Sequence, residues 1–111
     1  MVAKVTGLGK AFNQNAPKLG RVKFAMLSGR FARKMPRIKD TVDLLLIGDI
    51  IMPQLTELIR EQEAKLDREI NYTVMTEKEL DYRKTHNDPF INRILQGSRV
   101  MIIGDEEDLV A

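Results

Sequence analysis

Thr41-Val42-Asp43-Leu44-Leu45-Leu46-Ile47-Gly48-Asp49 is the most continuously apolar run in the chain, and it contains one carboxylate, Asp43. A run this apolar, closed by glycine and aspartate, predicts a strand covered on both faces, the central strand of an α/β sheet. A carboxylate inside such a strand is costly unless it is ion-paired, hydrogen-bonded, bound to a cation or placed at a solvated edge. What Asp43 does is therefore the first functional question the sequence poses.

The chain has 111 residues, which fits one domain with a modest core. It has no cysteine, so disulfides and thiolate metal sites are excluded, and the composition fits a reducing cytosol. No apolar run approaches the ~20 residues that span a bilayer. No long apolar segment follows the N-terminal lysine, so no secretory signal is expected. A cytoplasmic location and no membrane partner are the expectation. Net charge is +2, but residues 1–39 hold ten bases and no acid, and the remainder holds eight bases and all sixteen acids. This asymmetry suits either a nucleic-acid or phosphate face, or self-association of a basic surface with an acidic one. It suits a solvated basic segment equally.

Before the central strand, residues 1–20 are small, polar and glycine-containing, and they predict a flexible basic N-terminal segment in which Leu8, Ala11 and Phe12 could anchor a short helical turn. Gly7-Leu8-Gly9-Lys10 lacks the spacing and the preceding strand of a phosphate-binding loop. Arg21 to Leu27 is the first strand, and Ser28-Gly29 breaks it. A basic connection follows, carrying Arg30, Arg33, Lys34, Arg37 and Lys39, with Phe31 and Met35 expected to pin it. It is too short for a helical crossover, so the first two strands should be antiparallel neighbours.

After the central strand, Pro53 suits a helix start. Leu55, Leu58, Ile59, Gln62 and Leu66 then share one helical face. Ile70 to Met75 alternates and is β-branched, which predicts a third strand, parallel to the second. Thr76 with Glu79 forms a capping box that opens a helix to about Lys84. Asp88-Pro89 opens another, ended by Gly97. Arg99 to Ile103 is a fourth strand, and residues 105–111 form an acidic tail. The methionines read as core filler. His86, the single histidine, falls in a polar inter-helix loop and reads as a surface residue. The fold class is α/β (α+β), a mixed sheet of about four strands packed with three or so helices.

Residues 42–49, the run Asp67-Arg68-Glu69-Ile70-Asn71-Tyr72-Thr73-Val74-Met75-Thr76-Glu77-Lys78-Glu79, and Asp88-Pro89-Phe90 with Ile94-Leu95-Gln96-Gly97 together resemble the minimal nucleotidyltransferase superfamily, which shares the DNA-polymerase-β palm. The chain is most similar to the nucleotidyltransferase-like domain that follows winged-helix domains in transcriptional regulators. The resemblance covers residues 21 to about 105 and implies a palm-like mixed sheet. The residues before Arg21 are too few for a winged helix, so DNA reading through one is not expected of this chain. Active members are similar in using a Gly-Ser turn for nucleotide phosphates, a D-x-D pair for Mg²⁺ and a third carboxylate on the third strand, which together clamp two cations around an in-line displacement.

At each of these points the chain departs. It has Ser28-Gly29 in reversed order, and Thr41-Val42-Asp43 in place of D-x-D. Asn71 stands at the third acid, and Asp67 stands where the regulators carry glycine at a helix end, a position open to left-handed backbone. With Thr41 and Asn71 at two of three carboxylate positions, nucleotidyl transfer is not expected. The resemblance implies a degenerate binding, dimerisation or regulatory module without a cofactor. The residual metal or phosphate site would be Asp43, Ser28 and Gly29, with Asp43 the one metal-ligand candidate. The alternative is a Mg²⁺-dependent nucleotide-binding protein or transferase using Asp43. Two structural readings of Asp43 stand beside these: pairing with an arginine of the basic loop, or capping backbone N–H groups. For Arg30, Arg33, Lys34, Arg37 and Lys39 the readings are phosphate or nucleic-acid contact, a solvated loop, or a homodimer contact.

Overall fold

The computed structural model of the chain describes residues 7–33 and 42–110. In order, its elements are α1 (Gly7–Asn15), a 3-10 turn (Ala16–Leu19), β1 (Gly20–Ser28), α2 (Gly29–Ala32), β2 (Leu44–Ile50), α3 (Met52–Leu66), β3 (Tyr72–Met75), α4 (Glu77–Thr85), α5 (Pro89–Gln96), β4 (Arg99–Ile103) and α6 (Glu106–Val110). The fold is α+β, with one mixed sheet in the order β3-β2-β1-β4. β1 runs antiparallel to both β2 and β4, and β2 runs parallel to β3. α3 carries the connection between the two parallel strands.

Side chains alternate across a strand, so a continuous apolar run serves two cores. In β2, Leu44 and Leu46 enter one core with Leu8, Phe12, Ala25, Leu27, Leu55 and Ile59. Leu45 and Ile47 enter the other, with Phe24, Met26, Leu80, Ile91 and Leu109. The result is three layers: α1, α2 and α3 pack on one face, and α4, α5 and α6 on the other. β2 is thus the doubly covered centre that its composition predicts.

Local signals explain most element ends. Thr76 Oγ1 accepts from Glu79 N at 3.1 Å and starts α4. The return half of the capping box is replaced, because the Glu79 carboxylate reaches Arg83 Nη2 at 3.3 Å. Asp88 Oδ1 accepts from Phe90 N at 2.7 Å and starts α5, while its Oδ2 takes Arg83 Nη1 at 2.8 Å. Asp67 ends α3 in the left-handed region, at φ 52° and ψ 45°. Gly48 has φ +146° beside a bulge between Val22 and Phe24 of β1. A side chain there would collide with the Arg21 carbonyl oxygen and approach Lys23 N to 3.0 Å, so only glycine lets the strands close.

The structure differs from the sequence expectations in four places. The flexible N-terminal segment is, over residues 7–19, a helix and a 3-10 turn whose Leu8, Phe12 and Leu19 are buried. Leu8 and Phe12, four apart on one face of α1, and Leu19 in the turn that follows suffice to dock it. The acidic tail is α6 from Glu106, anchored by fully buried Leu109 and by Lys84 Nζ, which donates to the Leu109 carbonyl at 2.8 Å. A short helix, α2, replaces the simple break at Ser28-Gly29. Leu66, placed on the buried face of α3 by periodicity, is exposed at the residue where α3 ends. Six α-helices are present among the described residues, α1, α2 and α6 being additional to the three that the periodicity and caps outline.

Candidate functional site

β2 begins at Leu44, so Asp43 lies just before the strand and not within it. It is only 2 % exposed. Among its contacts, Asp43 Oδ2 accepts from Asn71 N at 2.9 Å, Asp43 N donates to Asn71 O at 2.7 Å, and Ser28 N donates to Asp43 O at 2.8 Å. Asp43 therefore ties the entry of β2 to the start of β3 on one side and to the exit of β1 on the other. A buried carboxylate that accepts a backbone N–H is compensated by a charge-assisted hydrogen bond. Of the readings open from the sequence, capping of backbone N–H groups is the one the described contacts contain.

Ser28 is engaged in a similar way. Its Oγ accepts from Phe31 N at 3.1 Å and caps α2. Gly29 N donates to Ser98 O at 2.9 Å. A Cβ at Gly29 would sit 2.9 Å from Ser98 Cβ, so the glycine permits the close approach of β1's exit to the α5–β4 connection. The register sets Ser28 opposite Arg99 of β4. Arg99 is the most enclosed cation here, its side chain 9 % exposed. Its Nη1 donates to the carbonyls of Leu95 at 2.8 Å and Gly97 at 3.2 Å, at the end of α5. Its Nε faces Glu106 Oε1 at 3.2 Å, an ion pair without hydrogen-bond alignment.

These groups surround one cavity of about 420 Å³ between the sheet and α5. Met26 and Leu45 supply its apolar floor, Phe90 and Ile94 its α5 wall, and Ser28, Gly29, Arg30, Asp43, Arg93 and Arg99 its polar lining. The structure thus gathers Asp43, Ser28, Gly29 and Arg30 at one place. Arg33 is exposed at the end of α2 and does not line the cavity. Lys34, Arg37, Lys39 and Thr41 lie outside the described residues, as does Met35. Phe31 is buried and stacked under Arg68, whose guanidinium carbon is 4.3 Å from the ring centroid. His86 is exposed, stacked on Tyr82 at 3.9 Å, and away from the cavity.

Arg93 and Arg99 are the cavity residues that sequence reasoning missed. One belongs to an amphipathic helix and the other to the start of a strand, and neither position carries a motif. Only the β1–β4 register, which sets Ser28 beside Arg99, could have suggested the second.

The lining does not fit a pair of divalent cations. Among the described residues that line the cavity, Asp43 is the one carboxylate, an oxygen of that carboxylate already accepts a backbone N–H, and three guanidinium groups line the same space. Among the described residues no three His, Asp or Glu side chains gather into a metal-ligating group. No described helix is long and apolar enough to cross a membrane. No family model, curated protein or solved structure matches the chain.

Proposed function

We propose that the chain is a nucleotidyltransferase-like domain that binds without catalysing, a regulatory or dimerisation module of the kind linked to transcriptional regulators, with the cavity at the strand ends as its ligand site. One observation carries this reading. Asp43, the acid in the position of a metal-ligand candidate, is buried and holds Asn71 N at 2.9 Å. A carboxylate used to join two strands is poorly placed to hold a cation against a triphosphate. A two-cation displacement also needs several carboxylates converging on the phosphate, whereas the described lining of this cavity has one acid and three arginines.

The test is a thermal-shift titration with ATP, GTP, CTP and UTP, with and without Mg²⁺, on the wild-type chain and on Asp43→Asn. The amide keeps an oxygen acceptor for Asn71 N while removing the charge a cation requires. The expected result is no Mg²⁺-dependent stabilisation with any nucleotide. A Mg²⁺-dependent rise that Asp43→Asn abolishes would overturn the reading in favour of a nucleotide-binding or transferase site.

A further inference from the structure

We infer that the cavity takes a small organic anion with an apolar body, an aromatic or branched carboxylate or an equivalent oxyanion. This rests on the reading of the chain as a binding module and adds the chemical class of what is bound. Ligand sites for small molecules enclose about 300–1,000 Å³, are mostly apolar, and carry a few convergent polar groups. A cavity of about 420 Å³ suits an occupant of one or two rings. Met26 and Leu45 from the sheet and Phe90 and Ile94 from α5 offer its body an apolar slot.

The charge of the lining selects the other end of the occupant. Among the described lining residues are three arginines and one acid, and that acid already accepts the Asn71 N–H. The arginines play different parts. Arg99 is fixed on the α5 carbonyls and on Glu106, so it supplies field and not a movable contact. Arg30 is half-buried, in α2. Arg93 lies one turn along α5 from Phe90, is exposed, and its side chain has no ion pair or hydrogen bond among the described residues. A guanidinium at the lip of an apolar slot, with its donors open, matches a carboxylate or phosphate group in a forked pair. The Ser98 hydroxyl lines the same space.

The test is calorimetric titration of the full chain with 1-naphthylacetate, its neutral twin 1-naphthylacetamide, and 1-naphthyl phosphate, on wild type, Arg93→Gln and Arg93→Lys. Arg93 is exposed, so its replacement leaves the fold intact. The acid is expected to bind about tenfold more tightly than the amide, the difference one charge-assisted contact makes. Arg93→Gln should erase that preference, and Arg93→Lys should keep part of it. Comparison of the two anions shows whether carboxylate or phosphate is preferred, and either preference supports the inference. Equal binding of acid and amide, no binding of either, or an unaltered preference in Arg93→Gln would overturn it. If that happens while nucleotides still give no Mg²⁺-dependent shift, the ligand class fails and the binding-module reading stands. If Mg²⁺-ATP displaces 1-naphthylacetate and Asp43→Asn prevents the displacement, both fail.

Discussion

Replacing Asp43 with alanine distinguishes a carboxylate that holds the fold from one kept for a ligand. In the structure its Oδ2 is 2.9 Å from Asn71 N, and the residue is 2 % exposed. Removing the acceptor leaves a backbone N–H at the start of β3 without its partner, which costs about 1–3 kcal/mol. The space vacated adjoins the existing cavity, so water replaces the lost atoms and little is added for a void. The opposing term is relief from burying a charge, and it is small here because the charge is already hydrogen-bonded. The net expectation is a loss of about 2 kcal/mol, which in a domain of this size lowers Tm by about 8 °C. Asp43→Asn, which keeps one acceptor oxygen, should lose about half as much. Urea unfolding followed by far-UV circular dichroism measures both, with an unchanged m-value showing that the unfolded state is unaffected. An alanine variant as stable as the wild type, or more stable, would refute the account, because it would mean that burying the charge costs more than the Asn71 contact returns.

Three further outcomes follow from other parts of the structure. Gly29→Ala should lose about 1–3 kcal/mol by overpacking against Ser98. Adding Ser98→Gly to that variant should recover part of the loss, and thermal unfolding of the single and double variants checks the pair. Leu109→Ala should cost about 2 kcal/mol or more, since its side chain is fully buried in the second core. Hydrogen exchange should then show loss of protection in α6 before α4, whereas unchanged protection would contradict the docking of α6. Replacing Arg30, Arg33, Lys34, Arg37 and Lys39 by alanine should abolish weak, sequence-independent nucleic-acid binding that falls with rising salt. Fluorescence anisotropy with a labelled duplex at several salt concentrations measures it, and binding unchanged in the variant would refute the contact.

The architecture was legible where one short-range rule decides. The central strand, the antiparallel first pair, the α3 connection and the caps at Thr76 and Asp88 all follow from periodicity, chain length between elements, or a single side-chain oxygen. At the termini, Leu8 and Phe12 were legible as anchors of a helical turn, while Leu19 and Leu109 were not. Around Phe12 the sequence is glycine, asparagine and lysine, and around Leu109 it is nearly all acid. Yet each needs only a few buried side chains, and burial depends on what the rest of the fold presents. The site was half legible. Ser28, Gly29, Arg30 and Asp43 lie near one another because β1 and β2 are neighbours, which the sequence implies. Arg93 and Arg99 come from a helix and a strand distant in sequence, and no local pattern announces that they close the same space. Asp43 itself was legible as an anomaly. The backbone N–H that its carboxylate accepts was not, because it belongs to Asn71, 28 positions along the chain.

The pairing of β1 with β4 has a kinetic consequence. Ser28 and Arg99 face each other although they are about 70 positions apart, a closure whose entropy has to be met before the contact contributes. β1 and β2, by contrast, meet across a short connection and can pair early. The cavity is bounded by both events: one side is built by the early pair, and the other arrives with α5 and β4 when the longest loop shuts. Occupancy of the cavity is therefore a late signal in folding. A ligand that stabilises it should slow unfolding more than it speeds folding, so the chain would become competent to bind at the moment its C-terminal third comes home.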